Sequence, residues 1–161
     1  MSLPKTFGVW GNIEKDAFWD ILPEIIRWAE SKNIELFLTE KILSDTRANK
    51  FNQPIIDSKN KISELDFMLV LGGDGTFLSC ARAVEHRGTP ILGIHLGDLR
   101  FLAKVTLENI FQRLNQVAEG KFSVEKRSMV KASILKNGSS LTQYGLNDFV
   151  VSNGESHRML T

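Results

Sequence analysis

The feature that most constrains the fold is a short apolar run followed by a glycine cluster around one acid. Residues 67–71 are all apolar, a pattern typical of a strand that is buried on both of its faces. Residues 72–76 read Gly-Gly-Asp-Gly-Thr, and a helical pattern covers residues 77–87. A strand, a glycine-rich turn and a helix start predict a phosphate site, because glycines allow close approach and the helix N–H groups point at the anion.

Asp74 is the unusual member of this turn. A carboxylate repels a phosphate unless it holds a cation or accepts a proton from a nucleophile. With glycine at about 7% of residues, such a five-residue string is expected on the order of once in several thousand chains of this length. A plain strand-to-helix connection needs one or two glycines, not three around an acid. We therefore interpret the turn as a functional site.

Composition limits the class of protein. The 161 residues are 42% apolar and 24% charged, with a net charge of +1, which is typical of a soluble globular chain. The balanced charge gives no reason to expect nucleic acid or an anionic membrane as a partner, and no apolar run reaches the length of a membrane span. The single cysteine, Cys80, excludes an internal disulfide and favours a reducing cytoplasm. Its position in the helical pattern predicts a buried, inert thiol.

Strand and helix patterns alternate, which predicts a mainly parallel, Rossmann-like α/β sheet. Pro23 either kinks the first helix or starts a second one, and Asn33 is a left-handed stop. Residues 39–65 are polar and interrupted, so we expect a mobile loop with one or two short helical pieces. The predicted strands are residues 7–10, 34–38, 67–71 and 90–95, and the predicted helices are residues 13–32, 77–87 and 107–118.

The pattern changes after Gly120. Residues 122–136 alternate between apolar and polar, Asn137 and Gly138 are typical of a hairpin turn, and residues 144–152 are predicted to return as a β segment. We therefore expect an α/β nucleotide-binding domain at residues 1–120. Residues 121–161 are predicted to be the beginning of an antiparallel β domain that the chain leaves incomplete.

Ligands of parallel sheets bind beyond the carboxyl ends of the strands. The glycine turn at residues 72–76 follows one such end, and the loop at residues 95–101 follows the next one along the chain. Both segments are therefore expected on the same rim of the sheet.

Three motifs together resemble the NAD kinases. The similarity extends over nearly the whole chain from Phe7 and is weakest at residues 40–65. The motifs are residues 72–76, residues 93–102 (Gly-Ile-His-Leu-Gly-Asp-Leu-Arg-Phe-Leu) and residues 146–148 (Leu-Asn-Asp). In the second motif the family pattern is Gly-x-Asn-x-Gly-x-Leu-Gly-Phe-Leu, so His95 replaces the asparagine and Arg100 replaces a glycine. Arg100 either contacts phosphate or obstructs the site, and whether His95 contacts a ligand stays open.

The resemblance implies phosphoryl transfer from ATP or polyphosphate to the 2′-hydroxyl of the adenosine ribose of NAD, which yields NADP. It implies Mg²⁺ or another divalent cation as cofactor, and it gives Asp74 the role of orienting and deprotonating the hydroxyl. Asn147 matches the residue that reads the adenine edge, and Asp148 its acidic partner. The implied binding residues are Gly72, Gly73, Gly75 and Thr76 for the phosphates and Phe101, Asn147, Asp148 and Arg158 for NAD. No His, Cys and carboxylate set has the spacing of a zinc site.

Two other functions stay open. A lipid kinase of the diacylglycerol or sphingosine type has a similar glycine turn but should lack the Asn147-Asp148 pair. The other alternative is a non-catalytic nucleotide-binding module. The resemblance implies NAD and ATP as partners, with neither nucleic acid nor membrane, and it favours a homodimer or tetramer in the cytoplasm. We expect the 161-residue chain alone to be inactive, because the second domain should supply about half of the NAD site.

Overall fold

Short apolar strands and amphipathic helices alternate along the chain. The structure is a computed structural model that describes residues 3–97 and 102–151. Two 3₁₀ turns, Thr46–Ala48 and Leu107–Asn109, lie in the connections. The elements are β1 (Thr6–Gly11), α1 (Asp16–Ser31), β2 (Glu35–Thr39), α2 (Glu40–Leu43), β3 (Ile55–Ile56), α3 (Lys59–Glu64), β4 (Phe67–Leu71), α4 (Asp74–Val84), β5 (Ile91–Ile94), α5 (Ile110–Ala118), β6 (Val130–Lys136) and β7 (Ser139–Gly145).

The first five strands form one parallel sheet in the order β3-β2-β1-β4-β5, and β6 and β7 form a separate antiparallel pair. This confirms the prediction of a mainly parallel α/β fold followed by antiparallel β structure. The chain builds outward from β1 to β3 and then crosses back to place β4 on the other side of β1. The boundary between β1 and β4 is therefore the point where the strand order reverses, and such sheets bind ligands there.

Strand β4 is buried on both faces, as predicted. Its alternate residues Phe67, Leu69 and Leu71 join the apolar cluster that includes α1 and α5, whereas Met68 and Val70 join the cluster on the opposite face. All five side chains are at most 5% exposed. A strand covered on both faces needs a continuous apolar run, and this requirement explains the composition of residues 67–71.

Cys80 packs in the second cluster, against the face of β4 that carries Met68 and Val70. Its side chain is fully buried, and burial raises the pKa of the thiol to about 12. A thiol with so high a pKa supplies almost no thiolate near neutral pH, which confirms the expectation of a buried, inert cysteine.

The first half of the chain differs from the prediction at several boundaries. Helix α1 begins at Asp16 and runs without interruption through Pro23, and Asn33 has a φ of 53°, as expected for a left-handed stop. Residues 39–65 contain the two expected short helices, α2 and α3. They also contain an edge strand, β3, that was not predicted, because two residues after a proline carry no periodicity.

Helix α4 lies three residues earlier than predicted. It begins at Asp74 instead of Phe77, so the acid belongs to the first helical turn. It ends at Val84 because Glu85 adopts a φ of 54°, so the predicted helix end at residue 87 is wrong. Glu85 forms ion pairs with Lys59 and Arg87, which hold this unusual backbone conformation.

The hairpin turn is confirmed but the returning strand is misplaced. Asn137 and Gly138 have φ values of 50° and 77°, the pattern of a two-residue turn, so Lys136 pairs directly with Ser139. The prediction of a return at residues 144–152 is therefore wrong, and β7 ends at Gly145. The first strand is also shorter than residues 122–136 and covers only Val130–Lys136.

The turn between β4 and α4 needs glycine for packing at one position only. A Cβ built on Gly72 would lie 2.4 Å from Thr76 Oγ1 and 2.7 Å from Thr76 Cβ. A Cβ on Gly73 or Gly75 would meet nothing within 4 Å. Gly72 is thus required by the fold, whereas the space beside Gly73 and Gly75 is open.

Asp66 fastens the start of β1 to the start of β4. Its Oδ2 accepts hydrogen bonds from Lys5 N at 2.7 Å, Thr6 N at 2.9 Å and Thr6 Oγ1 at 3.0 Å. Partial burial alone would raise the pKa of Asp66, but these hydrogen bonds outweigh it and hold the pKa below its ordinary value. The ionised carboxylate therefore stabilises the folded state.

Gly72→Ala is expected to lower the free energy of unfolding by about 1–3 kcal/mol, because the new methyl group displaces Thr76 at the start of α4. Gly75→Ala is the matched control. It meets open space and replaces glycine with a better helix former, so the free energy should stay level or rise by up to about 1 kcal/mol. Urea denaturation measures both, and equal losses in the two variants would contradict the packing assigned to Gly72.

Asp66→Asn is expected to lower the free energy of unfolding by about 1 kcal/mol at pH 7, a figure reduced for partial exposure of the group. Because the folded pKa lies below the unfolded one, the stabilisation is present above about pH 4 and disappears as the pH falls through the folded pKa. Denaturation at several pH values measures this dependence. Asp20→Asn, on the exposed side of α1, should change nothing, and a pH-independent loss in Asp66→Asn would contradict the role of the charge.

Candidate functional site

The carboxyl end of β4 is tied to both neighbouring strands. Asn12, which follows β1, donates its N–H to Leu71 O at 2.9 Å, and Gly72 donates its N–H to Ile94 O of β5 at 2.9 Å. The loops after β1, β4 and β5 therefore meet on one rim, as the sequence predicted for the loops after β4 and β5.

Asp74 is the first residue of α4 and is half-buried. A carboxylate at this position is favoured by the positive end of the helix dipole. Its Oδ1 accepts a hydrogen bond from Leu102 N at 3.1 Å, across a separation of 28 residues. The acid is thus held against the end of the loop that follows β5, where the second sequence motif ends.

His95 starts that loop and is buried, with 7% of its surface exposed. Its backbone N–H donates to Val105 O at 2.9 Å, and the ring Nδ1 lies 2.6 Å from Gly97 O. Because a carbonyl only accepts, Nδ1 carries the hydrogen and Nε2 is an acceptor in the neutral ring. Nε2 has no hydrogen-bond partner among the residues that the structure describes. The contacts with Val105 and Gly97 give His95 a local role in fixing the loop.

A cavity of about 300 Å³ lies between α4 and the segment around the hairpin. It contains Asn147 together with Leu102, whose N–H binds Asp74. The structure therefore brings Asn147 to the same part of the rim as Asp74. Asp148 is exposed and is not among the lining residues, which are Leu78, Leu102, Arg127, Ser128, Leu146 and Asn147. Arg127 was not predicted, because the polar segment before β6 carries no motif.

A larger cavity of about 710 Å³ lies on the other side of α4. Gly75 and Thr76 line it together with residues that follow β1, β2 and β3. Trp10 also lines it, and the indole Nε1 donates to Ser79 Oγ at 2.8 Å. The sequence analysis treated Trp10 only as part of a strand. Its position one residue before the carboxyl end of β1 was the signal that could have placed it at the rim.

Two of the predicted site residues, Phe101 and Arg158, lie outside the described residues, and so does Arg100. Within residues 3–97 and 102–151, no group of three or more His, Cys, Asp or Glu side chains could hold a metal ion. In the same part of the chain, no helix is long and apolar enough to cross a membrane.

Solved structures share this fold. Yeast NADH kinase complexed with NADH superimposes with a TM-score of 0.75 over 89% of this chain and 47% of that chain, at 16% identity. An NAD kinase from Archaeoglobus fulgidus in complex with ATP gives a TM-score of 0.56 over 84% of this chain and 45% of that chain, at 24% identity. At these identities the similarity establishes the fold alone.

Sequence relatives point to the same family. The NAD kinase of Thermoanaerobacter sp. (strain X514) is 34% identical over 156 residues, which are 96% of this chain and 54% of the relative. The NAD kinase of Hydrogenovibrio crunogenus is 30% identical over 154 residues, 95% of this chain and 53% of the relative. The chain thus spans about half the length of the curated relatives it matches.

The sequence model of the ATP-NAD kinase N-terminal domain matches residues 7–122, which contain the parallel sheet except Thr6 and also contain the Gly72–Thr76 turn. The lipid-kinase alternative is therefore not favoured. The chain belongs to the ATP-NAD kinase family.

Proposed function

We propose that the protein carrying this chain is an NAD kinase, which transfers a phosphoryl group from ATP to the 2′-hydroxyl of the adenosine ribose of NAD. The observation that carries the proposal is the position of Asp74. It starts α4, whose first turn lines the larger cavity, and it binds Leu102, which lines the smaller one. A donor on one side and an acceptor on the other would meet at this carboxylate.

The larger cavity is proposed as the donor site. Its volume of about 710 Å³ suits a nucleotide, and it lies where the strand order reverses. Gly75 and Thr76 belong to the first turn of α4, whose N–H groups have no acceptor within the helix and point outward. The open space beside Gly75 lets a phosphate approach this backbone closely.

The smaller cavity is proposed as part of the acceptor site. Asn147 can donate and accept at adjacent atoms, as recognition of an adenine edge requires. Arg127 supplies a cation on the same wall and is paired with Glu125 at 2.9 Å. On the motifs alone, Gly73 is proposed to bind phosphate, and Phe101, Asp148 and Arg158 are proposed to bind NAD.

Asp74 is proposed to accept the hydrogen bond of the ribose hydroxyl and then its proton. The hydroxyl oxygen forms a bond to the γ-phosphorus of ATP as the bond between that phosphorus and the bridging oxygen breaks, and ADP leaves. A carboxylate is a weak base for an alcohol. In a loose transition state, however, proton removal comes late, and positioning with charge neutralisation carries most of the catalysis.

A divalent cation such as Mg²⁺ is proposed to accompany the donor and to neutralise charge on its phosphates. Mg²⁺ commonly binds through one or two carboxylates together with substrate phosphates, and it needs no cage made only of protein groups. Asp74 lies at the proposed phosphate-binding turn, and its carboxylate could serve as such a protein ligand.

Residues 121–161 are proposed to belong to a second, β-rich domain that completes the acceptor site. Ile134 and Leu141 face each other in the hairpin and are 58% and 55% exposed. Such an apolar pair is the kind of surface that further β structure covers. By the same reasoning, the 161-residue chain alone is proposed to be inactive. The protein is further proposed to be a homodimer or tetramer in the cytoplasm, without nucleic-acid or membrane partners.

Asp74→Asn, made in the protein as its gene encodes it, is expected to lower kcat for NADP formation from ATP and NAD by about 100- to 10,000-fold, because the substituted amide cannot take the proton. A dehydrogenase that accepts only NADP provides the readout. Calorimetry should still show NAD bound to the variant, since its side chain keeps the same shape.

Asp20→Asn, a matched change on the exposed side of α1, should keep full activity. Full activity in Asp74→Asn would contradict the role of the carboxylate. A parent protein that binds ATP and NAD without forming NADP would instead favour the non-catalytic nucleotide-binding module.

A further inference from the structure

The larger cavity extends along α4 from the first helical turn towards the helix end. Gly75 and Thr76 line it at the first helical turn, and Ala83 lines it near the helix end. Ala83 follows Gly75 by eight positions along the helix, a rise of about 12 Å. The apolar lining residues outside the first turn are Trp10, Ile56, Ile62 and Ala83.

Trp10 is held in one orientation within this cavity. Its Nε1 donates to Ser79 Oγ at 2.8 Å, and Ser79 Oγ donates in turn to Thr76 O at 2.8 Å. The indole is half-buried and packs against the apolar cluster that contains Met68 and Val70. Because the ring N–H is already bound, the carbon surface of the indole is what Trp10 can offer a ligand. A fixed aromatic ring of this kind suits the face of another flat ring.

The charges around the cavity are balanced. Lys41 and Lys59 line it, but so do Glu40 and Asp57, and Lys59 is also paired with Glu85. A site for a long inorganic polyphosphate needs a strong excess of positive charge along its length. This cavity instead places the aromatic ring of Trp10 close to the first turn of α4, through its hydrogen bond to Ser79.

We infer that Trp10 is the platform on which the base of the phosphoryl donor stacks, so that the donor is a purine nucleoside triphosphate and not inorganic polyphosphate. The inference rests on the proposed function, which makes the larger cavity the donor site. Ser79 positions the ring, and Gly75 with Thr76 receives the phosphates. Trp10 thereby determines donor specificity and takes no part in the chemical step.

Tryptophan emission tests binding without any turnover. Titration with adenylyl imidodiphosphate, a non-hydrolysable ATP analogue, should change the emission of the parent protein, and tripolyphosphate should not. The change should be lost in Trp10→Phe and kept in Trp19→Phe. Trp19 is a matched control because it lies under the Arg47 guanidinium at 4.4 Å and does not line the cavity. A response that survives in Trp10→Phe, or an equal response to tripolyphosphate, would overturn the inference.

Steady-state kinetics of Trp10 and Ser79 variants test specificity for the phosphoryl donor. Trp10→Leu should raise KM for ATP by about 5- to 150-fold with little change in kcat, the range expected for loss of one base-stacking contact. Ser79→Ala keeps the ring and loses its tether, so KM should rise by only about two- to tenfold. Thermal unfolding verifies that each variant is folded. If Trp10→Leu is not folded, Trp10→Phe replaces it in the kinetic measurement, because it keeps an aromatic ring in β1.

These experiments distinguish a missing base platform from a missing kinase activity. If the parent forms no NADP from any donor while the ATP analogue still changes the emission of Trp10, the proposed function fails and the base platform stands. If NADP forms from ATP and Trp10→Leu leaves KM for ATP unchanged, the base platform is wrong and the kinase assignment stands. Polyphosphate used as efficiently as ATP would likewise overturn the inference about the donor.

Discussion

The hydrogen bond from Leu102 N to Asp74 Oδ1 is the interaction on which the site depends. It joins the first residue of α4 to the end of the loop after β5, across a separation of 28 residues. The backbone hydrogen bonds from Asn12 to Leu71 and from Gly72 to Ile94 fix the same rim from both sides. The loop after β5 therefore holds the acid directly, and the parallel sheet sets where the loops of this rim begin.

The two sides of this acid differ in a way that suits transfer between two bound molecules. The larger cavity combines a helix N-terminus with an aromatic wall, whereas the smaller one combines an amide, a guanidinium and apolar side chains. Only the former lies over the parallel sheet. The latter needs residues from the segment around the hairpin, which is why both sequence regions matter to the proposed reaction.

Sequence reasoning was most successful where one physical requirement dominated. The bounds of β4 were predicted correctly because a strand buried on both faces must be continuously apolar. The Asn137-Gly138 turn was predicted correctly because few residue pairs accept a positive φ at both positions. Sequence reasoning failed where tertiary contacts override local preference. Glycine disfavours helix, yet α4 begins before Gly75, and Glu85 ends it in a conformation held by ion pairs. Trp10 was overlooked since its role depends on Ser79, 69 residues away.

The most direct test of a transfer site at Asp74 is a crystal structure of the protein, as its gene encodes it, with adenylyl imidodiphosphate, Mg²⁺ and NAD bound together. The triphosphate should follow the first turn of α4, and the 2′-oxygen of the adenosine ribose should lie about 3–3.5 Å from the γ-phosphorus, the spacing of a reactive pair. The same oxygen should be within hydrogen-bond distance of the Asp74 carboxylate. A ribose bound away from Asp74, or a triphosphate outside the larger cavity, would contradict the site described for this chain.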